Sequence, residues 1–203
     1  MPPVPRITKW LLIVNVAVFF LSDLLTRAMS VTPPTTWFAL WPVGPNFMPW
    51  QVVTYAFLHG DILHLAFNML GLWQFGSELE RLWGEKRYIQ FYTASVLTAA
   101  ATQLLVTFLT GSPYPTIGAS GGIFGLLLGF GMMFPNRQIM LILPPIPMKA
   151  KTYVVIFGVL ELWMGTHLSD GVAHFAHLGG MLGAFLLIRY WRGQPPFRGR
   201  RRF

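Results

Sequence analysis

The chain has 203 residues, of which 54% are hydrophobic and only 11% are charged, and its formal net charge is +8. Soluble domains carry about a quarter charged residues, so this composition excludes an ordinary soluble domain and indicates a polytopic membrane protein. The absence of cysteine excludes disulfides and thiol chemistry.

Apolar segments along the chain predict an all-α bundle of six membrane-spanning helices, at 10–25, 58–79, 88–109, 120–134, 152–164 and 172–190. An even number of spans places both termini on one side. Of the 15 Lys and Arg residues, all except Arg27 fall on that side, so the positive-inside rule predicts cytoplasmic termini. We interpret the basic charge as a topology signal with a contribution from anionic membrane lipids, and not as a nucleic-acid site.

The segments between the spans complete the predicted organisation. Residues 1–9 lack the features of a signal peptide, so we expect the first span to be retained. The aromatic-rich outer loop 26–50 is expected to lie partly in the headgroup zone. Residues 138–151 are too proline-rich for a helix and are expected on the inner surface. The sequence therefore predicts one six-helix domain over 1–192 and a disordered basic tail over 193–203.

Four polar side chains fall at similar depth on three of the predicted spans. His64 and Asn68 share one face of the second span because they are four residues apart. Ser120 begins the fourth span, and His177 lies early in the sixth. Each lies roughly 20–26 Å of helix from the basic inner rim. Lipid-facing helices would not tolerate such a layer, so we expect these groups to converge inside the bundle.

The chemistry that these groups predict is acyl transfer by a Ser–His dyad. Ser120 would attack a carbonyl while His177 takes its proton and returns it to the leaving amine. The Asn68 amide, the His64 ring and the Ser120 backbone N–H are candidate donors to the oxyanion. Close helix approach would be permitted by small residues of the fourth and sixth spans, namely Gly121, Gly125, Gly129, Gly180 and Ala184.

Other interpretations of the same residues remain open. Ser120 with its glycines, taken alone, is explained by helix packing. His174 competes with His177 as the base, since the two face within about 60° of each other. Glu161 lies near enough to the outer end of its span to snorkel, so we expect a structural role there and no carboxylate that orients the base. A zinc site of histidines would leave Ser120 unused.

In its motifs the chain resembles the rhomboid family of intramembrane serine proteases. Gly118-Ala119-Ser120-Gly121 is similar to the family's Gly-x-Ser-Gly motif, and the segment 176–180 to its catalytic-histidine segment. His64 and Asn68 match its His-x-x-x-Asn oxyanion motif, and residues 80–84 also fit. The motifs occur in order on the expected spans, over nearly the whole chain in the six-helix bacterial form.

The resemblance implies a serine endopeptidase of a bacterial inner membrane that cleaves single-span membrane proteins near the outer face. It implies His177 and not His174 as the base, and neither a metal nor another cofactor. The fifth helix and the loop 165–171 would act as gate and cap. The alternative function is a non-catalytic rhomboid-like protein that binds membrane proteins; such proteins usually lack the serine or the histidine, and this chain has both.

Two positions depart from the family pattern. Gln51 follows Trp50 where many members have an arginine that anchors the outer loop. Phe124 stands where some members have a tyrosine stacked on the histidine, so stacking is expected without a hydroxyl contact. Together with Gly118 and His174, Trp50 and Phe124 are expected to support the site or to contact substrate.

Overall fold

The computed structural model describes residues 2–28, 32–140, 146–168 and 171–196, and helices dominate these residues. Predicted outer-loop residues 29–31, Asp170 and the tail residues 197–203 lie outside them. The α-helices are α1 Arg6–Ala28, α2 Thr35–Phe38, α3 Gln51–Thr54, α4 Ile62–Gly71, α5 Ser77–Thr110, α6 Ser120–Met133, α7 Ala150–His167 and α8 His174–Trp191. A 3₁₀ turn, Tyr55–Phe57, follows α3, and a π-helical segment, Leu72–Gly76, joins α4 to α5.

A sharp bend at Gly84 divides α5 into two helical segments. Gly84 has a φ of 74°, which is not helical and which L side chains rarely adopt. The chain from α4 to Trp83 therefore corresponds to the second predicted span, and the chain after Gly84 to the third. By length and composition, the helical stretches Arg6–Thr26 and Ile62–Thr110 could cross a membrane, and Ser120–Met133 is a shorter apolar helix. The fold is a helical bundle of membrane type.

The connection between α6 and α7 differs from the sequence expectation. Residues Gln138–Met140 form strand β1 and Pro147–Lys149 form strand β2, which pair antiparallel with Ile139 opposite Met148. The described residues 138–140 and 147–149 are not helical, but residues 150 and 151 already belong to α7, and the sequence does not predict the strand pair. Helix α7 then runs to His167 and so takes up part of the predicted outer loop 165–171. Residues 141–145 lie outside the described chain.

The centre of the bundle is formed by α5, α6 and α8. The closest approach is between α6 and α8, where a Cβ atom at Gly180 would overlap the carbonyl oxygen of Gly121. Gly125 packs on Ser95 of α5, and a Cβ there would lie 3.0 Å from the Gly180 carbonyl oxygen. Gly121, Gly125 and Gly180 therefore bring the two helix backbones into direct contact, whereas Gly129 faces Phe91 and Leu79 of α5.

Gln51 anchors the outer loop from a fully buried position. Its Oε1 accepts hydrogen bonds from the backbone N–H groups of Trp41 (3.2 Å) and Met48 (3.1 Å). Its Nε2 donates to the carbonyls of Trp37 (3.3 Å) and Asn46 (3.1 Å). The amide thus satisfies two donors and two acceptors of a loop that has little regular structure. A neutral side chain anchors the loop at the position where the resemblance implies an arginine.

The same loop is tied to the segment that leads into α6. Leu40 and Thr116 exchange two backbone hydrogen bonds of 2.9 Å. The N–H of Gly118 donates to the carbonyl of Tyr55 at 2.9 Å, and the Tyr55 hydroxyl donates to the carbonyl of Val96 at 2.9 Å. The residues before Ser120 are therefore held by both the outer loop and α5.

A buried carboxylate fixes the start of α1. Glu80 accepts hydrogen bonds from the N–H of Ile7 (2.8 Å), the N–H of Thr8 (2.7 Å) and the Thr8 hydroxyl (2.7 Å). These N–H groups lie in the first turn of α1 and have no acceptor within their own helix. The negative charge also complements the positive end of the helix dipole.

We predict that Gly180→Ala destabilises the protein by about 2 kcal/mol or more, because the new methyl group meets backbone that cannot move aside. Thermal unfolding in detergent measures the effect. Gly158→Ala is the matched control, since a Cβ there would lie 3.6 Å from a flexible Met181 methyl group. Equal unfolding temperatures of the two variants would contradict the packing argument.

We predict that Gln51→Ala lowers stability by on the order of 3 kcal/mol, because four backbone groups lose their hydrogen-bond partner and some stay buried. The outer loop should also become more sensitive to limited proteolysis. Gln90→Ala, at an exposed helical position, should change neither property. A Gln51→Ala protein as stable and as protease-resistant as the parent would show that the loop is held by other contacts.

Candidate active site

Ser120 and His177 are in hydrogen-bond contact. Ser120 is the first residue of α6, and His177 lies in the first turn of α8. The Ser120 Oγ lies 2.7 Å from the His177 Nε2, and His177 is buried. The contact joins residues 57 positions apart in sequence. It follows from the close packing of α6 on α8 directly below, at Gly121 and Gly180.

The His177 ring is also held between an aromatic ring and a carboxylate. The Phe124 ring stacks on it with a centroid separation of 4.3 Å and an interplanar angle of 5°. On its other edge, the His177 Nδ1 lies 2.8 Å from the Oε2 of Glu161. The ring therefore has a fixed plane and a hydrogen-bond partner at both nitrogens.

The position of Glu161 contradicts the sequence expectation. From the sequence we expect a structural role for this side chain, near the outer end of its span, and no carboxylate that orients the base. In the structure Glu161 is buried, and its Oε2 meets both His177 and the Nδ1 of His174, the latter at 2.7 Å. The available signal was the general rule that an acid in an apolar membrane helix is functional by default. Glu161 is the sole acid of α7.

His64 lies beside the serine, and its hydrogen bond to the backbone indicates which ring nitrogen carries the hydrogen. A Cβ at Gly118 would lie 2.8 Å from the His64 Nε2 and 3.5 Å from the Ser120 Oγ. Gly118 has a φ of 123°, so both space and backbone require glycine there. The Gly60 N–H donates to the His64 Nδ1 at 3.4 Å. The His64 Nε2 then carries the hydrogen and can donate toward the serine.

Asn68 lies farther from the cavity than His64 and forms a hydrogen bond within its own helix. It is buried, and its Nδ2 donates to the carbonyl of His64 at 2.8 Å, within α4. An amide nitrogen has a second hydrogen, so this bond leaves one donor for another partner. Asn68 does not line the cavity above the serine, whereas His64 does.

An open cavity of about 810 Å³ gives access to the two contacting residues. His64, Ser120 and His177 line it together with residues 114–117 and 171–173 of the neighbouring loops. Asp61 also lines it, and its carboxylate caps α4 by accepting the N–H groups of Leu63 and His64. A peptide segment could therefore reach the Ser120 hydroxyl from the side where the loops lie.

Two other predicted site residues, His174 and Trp50, have separate roles, and a buried histidine outside the predicted set, His59, lies next to His64. His174 contacts Glu161 and stands edge-on to His177, with ring centroids 6.2 Å apart. His59 is buried with its ring edge-on to His64, 5.0 Å between centroids. Trp50 does not line the cavity, and its Nε1 donates to the Trp37 carbonyl at 3.0 Å. Trp50 thus supports the loop.

One group of side chains in the described part of the chain has the composition of a metal site. Glu161, His174 and His177 offer ligand atoms within 4.8 Å of one another. Each imidazole already contacts the Glu161 Oε2 through its Nδ1. A metal would require these nitrogens to lose their protons and would break both hydrogen bonds. The geometry fits a hydrogen-bonded unit better.

Comparison with known proteins identifies the family of the chain. The rhomboid-domain family model matches residues 46–193. The rhomboid protease GluP of Bacillus subtilis is 33% identical over 137 residues, which are 67% of this chain and 25% of the relative. Rhomboid protein 1, mitochondrial, of Saccharomyces cerevisiae is 33% identical over 65% of this chain and 39% of the relative.

A longer alignment exists with the rhomboid-like protease 3 of Toxoplasma gondii, which is 25% identical over 90% of this chain and 68% of the relative. The match to GluP spans only about a quarter of that protein's length. The family model, in contrast, covers most of this chain and includes Ser120, Glu161 and His177. The chain belongs to the rhomboid family.

Proposed function

We propose that the protein is an intramembrane serine endopeptidase in which Ser120 is the nucleophile and His177 the general base. The observation that carries the proposal is the 2.7 Å hydrogen bond between the Ser120 Oγ and the His177 Nε2. A serine hydroxyl is a weak nucleophile until an adjacent base removes its proton, and this contact has the required geometry. Membership in a family with named proteases agrees with it.

The proposed reaction proceeds through an acyl-enzyme. Ser120 attacks the scissile carbonyl as His177 accepts its proton, and the protonated imidazole then gives the proton to the leaving amine. Water then attacks the acyl-enzyme while His177 accepts its proton, and the new carboxyl end is released as the proton returns to the Ser120 oxygen. The oxyanion is stabilised by the His64 Nε2–H and the Ser120 backbone N–H, with the second Asn68 amide hydrogen as a further candidate donor.

The proposed substrates are single-span membrane proteins, cleaved near the outer face, as the family resemblance implies. We place both termini in the cytoplasm, with the chain crossing a bacterial inner membrane six times. The basic residues support this orientation, since all 15 Lys and Arg residues except Arg27 fall on one predicted side. The cavity is lined by the loops that this topology places outside, which suits a substrate segment entering from that face.

We predict that Ser120→Ala and His177→Ala each lower cleavage of a model transmembrane substrate by about 10³-fold or more. Ser120→Ala removes the nucleophile, and His177→Ala removes the base that takes the proton of the nucleophile. Labelling by a fluorophosphonate probe should likewise require Ser120. Purified protein in detergent serves for both measurements.

Two matched variants control this experiment. Ser22→Ala lies in α1, and Gln90→Ala lies at an exposed position of α5, so neither belongs to the proposed site, gate or cap. Both should cleave at the parent rate. Cleavage that survives in Ser120→Ala would reject the serine mechanism. A wild-type protein that binds the substrate without cutting it would favour the non-catalytic function instead.

The proposed orientation is testable because the chain has no cysteine. We predict that Gly44→Cys, in the outer loop, reacts with a membrane-impermeant maleimide in intact cells. Lys86→Cys, beside the Gly84 bend, should react only after permeabilisation. The opposite labelling pattern would invert the topology.

A further inference from the structure

His177 of the proposed dyad contacts a carboxylate, Glu161, which also contacts His174, and the dyad itself requires neither of these two residues. The three residues are 5%, 4% and 7% exposed, so the carboxylate is held away from water. It lies on α7, whereas both histidines lie on α8. The contact therefore exists only because α7 packs against α8 in this orientation.

The rotation of α7 aims the carboxylate inward. Within α7 only Ala150, Val154 and Glu161 are buried, while Leu160 and Leu162 on either side of the acid are exposed. An ionisable group in an apolar helix is costly, and exposure toward an outer surface would be the cheaper arrangement. The helix instead presents its one acid to the base of the proposed reaction.

The hydrogen bond fixes which nitrogen of His177 carries the proton. An ionised carboxylate only accepts, so the Nδ1 of His177 must be the donor. The neutral ring then has its lone pair at Nε2, 2.7 Å from the Ser120 Oγ, where it can accept the hydroxyl hydrogen. In the other tautomer an N–H would face the hydroxyl, and the ring could not act as base.

We propose that Glu161 is a positioning residue that completes a Ser120–His177–Glu161 triad. It holds the His177 ring in the productive tautomer and stabilises the imidazolium that forms when the serine proton is taken. His174 donates its Nδ1–H to the same carboxylate oxygen and so gives Glu161 a second hydrogen-bond partner. The inference rests on the proposed protease function and adds to it a residue on a third helix.

The test compares Glu161→Gln and Glu161→Asp with the parent, as full chains in detergent. Glutamine keeps the size of the side chain but loses the charge, and its NH₂ group can favour the wrong tautomer. We expect kcat to fall by about 100-fold or more while KM stays within about twofold, since Glu161 does not line the cavity. Aspartate keeps the charge and should restore a substantial part of kcat.

The control is Glu85→Gln, which removes an exposed carboxylate whose pair with Arg6 is long, at 3.9 Å. It should leave kcat and KM unchanged. If Glu161→Gln retains kcat within about threefold of the parent, the triad is wrong. It is also wrong if the aspartate variant is no more active than the glutamine variant, because a merely structural role does not require the charge.

A measurement on the unmutated protein keeps the inference testable if the variants fail to fold. Nitrogen-15 labelling of histidine, with His177 assigned by the loss of its signals in His177→Ala, reports the tautomer directly. We expect a protonated Nδ1 and an unprotonated Nε2, and the reverse would overturn the inference. A parent protein that neither cleaves nor labels at Ser120 would instead overturn the proposed function.

Discussion

The contact of backbone with backbone between α6 and α8 is the constraint on which the rest of this structure depends. Gly180 has no room for a side chain because the carbonyl oxygen of Gly121 occupies that space. The two helices therefore approach more closely than any larger pair of residues would allow. Next to this contact, Ser120, which directly precedes Gly121, comes within 2.7 Å of His177, which is one turn before Gly180. A few small residues thus set the distance on which the proposed proton transfer depends.

The polar centre is compatible with an apolar bundle because its members satisfy one another. The Ser120 hydroxyl, the His177 ring and the Glu161 carboxylate form a chain of hydrogen bonds that runs across three helices. In a low-dielectric interior an unpaired polar group is costly, and a paired one is strongly held. These hydrogen bonds also restrict the motions of the His177 ring. The Phe124 ring restricts them further, because it covers one face of the imidazole.

In the outer loop, Gln51 provides the anchoring contacts that the family pattern assigns to an arginine. Gln51 bridges two backbone N–H groups and two carbonyls from a buried position. An arginine offers donors only, whereas an amide offers both donors and acceptors and carries no charge to desolvate. Since the loop is also bonded to Thr116, this anchor extends to the segment that delivers Ser120 to its place.

The sequence by itself determined the helical membrane class, the small-residue faces and the serine and histidine to consider, because composition, spacing and motifs are local properties of the chain. Only the tertiary structure decided the place of Glu161. Helix α7 is apolar on nearly all sides, so its pattern does not tell which face turns inward, and the rotation is set by packing on α8. The β1–β2 hairpin and the four bonds of Gln51 were likewise beyond the sequence, because they depend on backbone groups that only the folded chain brings together.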